Sequence, residues 1–424
     1  MTALAAKRPV SSEYIDGAVA APLPGHLGKP PRPRHLLRAA AGTLWFGFTA
    51  LYLWCPVHRF PPAQPFHGSR WYNPYATVTA ATAWRKVNLH AHARAWSGLT
   101  NGRGSADGVL RRYREMGYDA APVSDYQTIT RARGADPSSL TAYEHGFNVR
   151  KVHLLAVGAQ RVDWLDYPLL QGRDEMQHRI DRLRSSAQLV IIAHPRLRQA
   201  VTDADLRALT GYTAIEIGSS FGRSESAWNV ALDAGRPVWA VANDDTHDAE
   251  EPNEAGRYWT MIAAPSTDAH TLVAALSSGQ AYAVFGHDGS ADARLTSLSI
   301  VGDTLTVAFA GEAANVQLVG AGGHVLAEVT QTHGARWTLP CDAGWVRVVA
   351  RTATTRLFLE PVLRSESGAM PQPRATVAPT ATLVRRAMAW VVLLLAVVPW
   401  IGRDILRFSR ADTMRPRLAL RTAA

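Results

Sequence analysis

His90 and His92 stand two residues apart at the end of the short apolar run Val87-Asn88-Leu89. Side chains alternate on a strand, so positions i and i+2 share a face. On a strand these two imidazoles point the same way and can grip one metal ion. Further polar residues follow at the ends of other apolar runs: Glu144, His153, His194, Asp245 and His247. Imidazoles and carboxylates are what divalent zinc, manganese or iron takes as ligands, and a carboxylate can bridge a pair of ions. Two or more such ions suit hydrolysis of a phosphate ester, because they activate a water, orient the ester and neutralise the leaving oxygen.

Each residue has a plainer alternative. His90 and His92 could be hydrogen-bonded histidines, and Glu144 a surface carboxylate. His153 and His194 could be core or capping residues. Asp245 sits beside Asp244, and the i, i+2 spacing to His247 favours Asp245. Arg196 follows His194-Pro195 and is placed to contact a phosphate; the alternative is a solvated arginine. His145 and Asn148 are candidates for supporting the ligands.

The elements that must position these residues are legible as alternating patterns. Apolar runs span Lys86–His90, Ala120–Ser124, His153–Gly158, Leu189–His194, Ala214–Gly218 and Val238–Asn243. Helical patterns lie between them at Ser105–Met116, Asp174–Ser185, Asp203–Thr210 and Ser226–Ala234. Strands alternating with helices predict an α/β parallel sheet or barrel, with polar residues at strand C-termini lining the active face. After about residue 290 the pattern changes to short β-like runs split by Gly and Asp turns. That predicts a small all-β sandwich over 289–364, with a Pro-containing linker at 365–383.

Composition limits the remaining options. The chain has 424 residues and only two cysteines, Cys55 and Cys341, which excludes a cysteine-based zinc knuckle or a disulfide framework. The net charge of +10 invites a nucleic-acid reading, but its location argues against one. Residues 1–38 and 402–424 each carry six basic residues against two acidic ones, and the body between them is nearly balanced. Each basic tail adjoins an apolar segment, at 39–57, which lacks charge, and at 384–402, which carries Arg385 and Arg386 at its start. Nineteen residues of helix span about 28 Å, close to a bilayer core. These segments predict two transmembrane helices. The positive-inside rule then places both termini in the cytoplasm and the body, after a lead-in at 58–84, on the periplasmic side of the cell membrane.

The sequence resembles the polymerase and histidinol phosphatase (PHP) family of metal-dependent phosphoesterases. The resemblance lies in Leu89-His90-Ala91-His92, Tyr143-Glu144-His145-Gly146, His153 before Leu154-Leu155-Ala156-Val157-Gly158, Ala193-His194-Pro195 and Asp245-Thr246-His247. It covers about 85–285. The resemblance implies a distorted seven-stranded β/α barrel over 85–288, with ligands at the C-terminal strand ends. It implies one ion on His90, His92, Glu144 and Asp245. Glu144 would bridge to a second ion on His153 and His194, and His247 matches the third position. Two departures affect a third ion. No Ser-Asp-Gly follows His92 closely, and Ser124-Asp125-Tyr126-Gln127 stands where the family has Asp-His. Asp125, Asp107 or Tyr126 could rebuild that position.

The function implied is hydrolysis of a phosphate ester by a metal-activated water, with Arg196 and His247 assisting catalysis. The substrate would be a small-molecule, lipid-linked or envelope-polymer phosphate. Alternatives are a non-catalytic envelope receptor or assembly component, and a metal-dependent hydrolase acting on a C–N or C–O bond.

Overall fold

The computed structural model describes residues 33–287 and 289–395. The chain divides into two units, Met1–Phe48 and Thr49–Ala424. The helix Pro33–Trp54 contains most of the first expected membrane span. Among the described residues, however, no helix is long and apolar enough to cross a membrane. Gly42, Thr43, Gly47 and Thr49 dilute the hydropathy of the first segment. The second expected span is helical up to residue 395, and its end at 396–402 lies outside the described residues, as do residues 1–32 and the C-terminal basic tail.

Six strands of the second unit form a mixed sheet rather than the parallel one expected. Ala142–His145, Leu154–Val157 and Leu189–Ile192 pair antiparallel in that order. Ala214–Ser219 then pairs parallel with both Leu189–Ile192 and Trp239–Ala242, and Gly222–Arg223 folds back on it. The helices Ala106–Glu115, Arg173–Leu183, Asp203–Ala208 and Glu225–Asp233 lie where their patterns placed them. Ser105 caps the first of these by accepting from the Gly108 amide, and Thr202 with Asp205 forms a capping box on the third.

Among the described residues the strands do not close into a barrel. The segments 88–93 and 120–127 form no continuous ladder with their neighbours: they meet them at isolated bridges, Val87–Ala120, Ala91–Thr246 and Tyr126–Glu144, with scattered backbone bonds such as the His92 amide to the Thr246 carbonyl. The physical cause is a set of polar side chains that take over the ladder's hydrogen bonds. The Leu89 amide donates to Asn243 Oδ1, the Ala91 amide to Ser124 Oγ and the Asp244 amide to Asn88 Oδ1, at 2.7–3.0 Å. Asn88, Ser124 and Asn243 are fully buried, so these bonds meet no competition from water.

A second sheet has ten strands, all paired antiparallel. It runs from Arg294–Val301 through Thr304–Val319, Trp345–Arg351, Arg356–Leu359, Ala281–Phe285 and Tyr258–Ala263 to Trp84–Val87. The expected sandwich at 289–364 is therefore not a separate layer. Ala281–Phe285 is buried along its whole length, and its free edge needs a partner, which Arg356–Leu359 supplies through four residue pairs. The lead-in and the linker are structured too. Arg70–Tyr72 pairs with Val362–Ser365, and His58–Arg59 pairs with Thr376–Val377.

Candidate metal centre

Four ring nitrogens and two carboxylates converge at one end of the six-stranded sheet. His90, His92, Glu144, His153, His194 and Asp245 are each at most 3% exposed. His90 Nε2 lies 3.1 Å from Asp245 Oδ1, 3.2 Å from His92 Nε2 and 3.5 Å from Glu144 Oε2. His92 Nε2 lies 3.2 Å from both carboxylates. On the other side, Glu144 Oε1 faces His153 Nδ1 at 2.5 Å and His194 Nε2 at 3.2 Å. Three ligand atoms come within 4.8 Å of one another in each of two groups, His90/His92/Asp245 and His90/Glu144/His194.

Protonation alone does not reconcile these contacts: His90 Nε2 and His92 Nε2 stand 3.2 Å apart, so two imidazolium N–H groups would collide there. Glu216 Oε1 lies 3.1 Å from His90 Nδ1 and accepts its proton, which makes Nε2 the nitrogen available to a metal. That nitrogen faces two carboxylates and a second imidazole. Glu144 Oε2 and Asp245 Oδ1 are buried without a hydrogen-bond donor. A shared cation resolves this. With metal–nitrogen bonds of about 2.0–2.1 Å, tetrahedral ligands stand about 3.3–3.4 Å apart, close to the spacing of these four atoms.

The electrostatics agree. Burial opposes charge on every one of these groups, yet the charges of His153 and His90 hold Glu144 well below the usual carboxylate range. Asp245 is lowered likewise against burial, by His90 and His92. Against burial, the carboxylates push His90 and His194 above the ordinary imidazole range and His92 to about 9. Burial lowers His153, and burial with the His92 charge lowers His247. The pocket is an acceptor-rich cavity that draws positive charge.

The backbone is strained where it presents two of these residues. His194 has φ +27° and Asp245 has φ +50°, in the left-handed region that non-glycine residues seldom adopt. Asp244 settles the register between the paired aspartates. Its carboxylate accepts the amides of Gly256, Arg257 and Tyr258 at 2.8–2.9 Å and the Tyr113 hydroxyl at 3.0 Å, so it organises a loop and leaves Asp245 to the cluster.

His247 stacks on His92 with ring centroids 4.5 Å apart. Its Nδ1 lies 3.1 Å from the Asp245 carbonyl, and its buried Nε2 has no partner. Arg196 is engaged elsewhere, with Asp203 at 2.7 Å and Ser226 at 3.3 Å. The candidates for rebuilding a third position are also occupied. Asp125 accepts the Ala93 amide and the Thr130 hydroxyl, Asp107 accepts the Arg133 amide, and Tyr126 stacks on His92. Asn148 braces the turn before His153 through both polar atoms of its side chain. His145 accepts from Arg179, and burial with that guanidinium lowers its pKa to about 3.

Two positioning residues were not singled out from the sequence. Glu216 is fully buried and holds His90 Nδ1, the His194 amide at 3.0 Å and the Asn243 side chain at 2.9 Å. A carboxylate inside the apolar run Ala214-Ile215-Glu216-Ile217 was its signal. Arg179, buried in the middle of its helix, donates to the carbonyls of His145 and Val152 and so clamps the turn between Glu144 and His153. Nothing in the local sequence marks it.

No family model matches the chain, and no curated protein does. A similar solved structure is a two-domain protein from Bacteroides vulgatus containing a predicted PHP-like metal-dependent phosphoesterase. It is 14% identical, the match covers 72% of this chain and 91% of that one, and the TM-score is 0.37.

Proposed function

We propose that the chain is a metal-dependent phosphoesterase. The observation that carries the metal assignment is the convergence of His90 Nε2, His92 Nε2, Glu144 Oε2 and Asp245 Oδ1 at 3.1–3.5 Å in a buried site. These four residues would hold one divalent ion, and Glu144 Oε1, His153 and His194 a second. Divalent ions bound there supply Lewis acidity toward a phosphoryl oxygen and lower the pKa of a water.

The protein's own groups have separable tasks. Glu144 presents one oxygen to each half of the cluster. Glu216 fixes the tautomer and direction of His90 and braces His194 through its amide. His247 donates its Nδ1 proton to the Asp245 carbonyl and so offers Nε2 to accept a proton or, once charged, to return one to a leaving oxygen. Arg196, held by Asp203, would meet a phosphoryl group only after exchanging that partner.

We also propose attachment to a membrane with the body outside the cytoplasm, on the strength of the two basic tails and their neighbouring apolar segments. A C-terminal reporter active only in the cytoplasm tests that placement.

The test of activity is metal analysis of the purified full-length chain with assays on an aryl phosphate, for wild type and His92→Ala. The wild type should carry at least one ion and cleave the ester, and the variant should lose both properties. Fewer than one ion per chain with no cleavage would overturn the proposal. Parallel assays on amides and lactones separate it from hydrolysis of C–N and C–O bonds.

A further inference from the structure

Single exposed apolar residues are ordinary on a protein surface, but a contiguous group of them beside a site is not. Such a group rims the mouth of the metal centre. Trp164 is 63% exposed, Leu170 75% and Phe147 52%, and Trp96, Leu169 and Phe221 are exposed as well.

Ring contacts and hydrogen bonds join this rim to the ligands. Tyr126 stacks on His92 at 4.7 Å, and its ring lies 6.0 Å from that of Phe147. The Trp96 indole donates to the Tyr126 carbonyl at 2.7 Å and meets Trp164 edge-on at 5.9 Å. The Phe221 ring lies 5.8 Å from His194 and 5.7 Å from His247. Next to Phe147, the Val149 amide donates to the Pro168 carbonyl, which brings Leu169 and Leu170 alongside. The amides of Leu169 and Leu170 donate to the Tyr52 hydroxyl, so the rim continues to the base of the helix that ends at Trp54. There Trp54 and Trp390 are exposed and pack edge to face at 6.3 Å.

A group bound at the cluster by its phosphate must lay whatever follows the phosphate across this rim. A sugar or a nucleobase would stack on Trp164 but leave Leu169 and Leu170 exposed. A hydrocarbon chain would cover them.

We propose that the substrate is a phosphate ester of a long-chain hydrocarbon alcohol, with its phosphate at the metal centre and its chain along Tyr126, Phe147, Trp164 and Leu170. The inference rests on the phosphoesterase reading for its polar end. The apolar end is carried by the rim alone. Each methylene removed from water adds a few-fold in affinity, so a chain with even four methylenes in contact gains roughly hundredfold.

The test is a binding measurement that needs no turnover. The metal-loaded full-length chain is titrated by calorimetry with dodecylphosphonate, below its micelle concentration, and with methylphosphonate. Dodecylphosphonate should bind at least about hundredfold tighter. In Trp164→Ser/Leu170→Ser that ratio should fall by at least tenfold, with metal content retained as evidence of folding. Equal affinities, or a ratio that survives the double substitution, would overturn the proposal. Failure of the parent reading looks different: dodecylphosphonate would still bind tightly while no ester is cleaved. Failure of the rim assignment alone leaves soluble esters cleaved and the two phosphonates indistinguishable.

Discussion

Glu216 Oε1 lies 3.1 Å from His90 Nδ1, and neither residue has any exposed surface. The contact decides which nitrogen of His90 carries the proton and therefore which one can hold a metal. The same carboxylate accepts the His194 amide, so one residue braces a ligand on each side of Glu144. Glu216→Gln keeps the shape and one accepting oxygen but removes the negative charge and the second acceptor. Supporting groups of this kind are worth roughly 10–100-fold in metal affinity. Competitive titration with a chelator should show a loss in that range for Glu216→Gln and a larger one for His90→Ala. An unchanged affinity would mean that Glu216 merely fills the core.

The adjacent aspartates should separate cleanly. Asp244 collects three backbone amides and a hydroxyl, whereas Asp245 Oδ1 has no donor. Asp244→Asn should cost about 1–3 kcal/mol of stability, since an amide cannot accept those bonds on both sides. Its metal stoichiometry at saturating metal should persist. Asp245→Asn should lose bound metal, and without metal it should unfold at a lower urea concentration than the wild type, because the buried charge that pairs with His90 and His92 is gone. Denaturant curves on the metal-free and metal-loaded forms of both variants decide it, and swapped phenotypes would reassign the ligand.

The sequence was most informative where chemistry recurs at short spacing. His90/His92 and Asp245/His247 are two residues apart, so period 2 alone assigned them shared faces. Most of the parallel strands were equally clear, since Leu189–Ile192 and Trp239–Ala242 are unbroken apolar runs and Ala214–Ser219 opens as one interrupted by Glu216. The barrel was not legible, because its failure to close depends on side chains of Asn88, Ser124 and Asn243 replacing backbone partners 33 to 156 residues away. The merged sheet was missed for a related reason. Nothing local in Ala281–Phe285 tells whether its edge meets a barrel strand or Arg356–Leu359. Arg196 shows the opposite failure. Its place after His194-Pro195 was suggestive, but Asp203, seven residues on, claims it.

Metal removal should change how stability depends on pH. In the metal-free chain His90, His92 and His194 have raised pKa values, His92 to about 9. Their contribution is fully present below the unfolded value near 6.5 and is lost as pH rises through the folded value. For His92 alone the loss is about 3 kcal/mol between pH 6.5 and 9. His58, raised to about 9 against burial by Asp174 and Asp181, loses stability over the same window but lies outside the cluster. His153 and His247 have lowered values and act oppositely, costing stability only as pH falls below about 6.5. Glu144 and Asp245, also lowered, lose their contribution at still lower pH. Urea unfolding of chelator-stripped chain should therefore show stability falling from pH 6.5 to 9. Metal holds the three cluster histidines deprotonated and bound, so their share of the fall should vanish in the loaded chain, leaving that of His58 and of the buried Glu360, which burial raises and which acts in the same direction. Parallel pH profiles for the two forms would rule out a cation-binding role for these histidines.

The segment that carries the resemblance should not fold alone. Residues 85–288 contain every candidate ligand, yet their strands Trp84–Val87, Tyr258–Ala263 and Ala281–Phe285 belong to a sheet that continues through Arg356–Leu359. Cutting at 288 exposes the full edge of Ala281–Phe285, a buried and wholly apolar strand. The lead-in matters as well. Tyr75 is fully buried, its hydroxyl donates to the Ala281 carbonyl at 2.5 Å and accepts the Glu360 amide at 2.6 Å, and Arg70–Tyr72 pairs with Val362–Ser365. A fragment 58–378 keeps all of these pairings, including His58–Arg59 with Thr376–Val377. Expressed side by side, 58–378 should give a cooperative thermal transition and bind metal, and 85–288 should aggregate or lack a transition. A cooperatively folding, metal-binding 85–288 would restore the two-domain division read from the sequence.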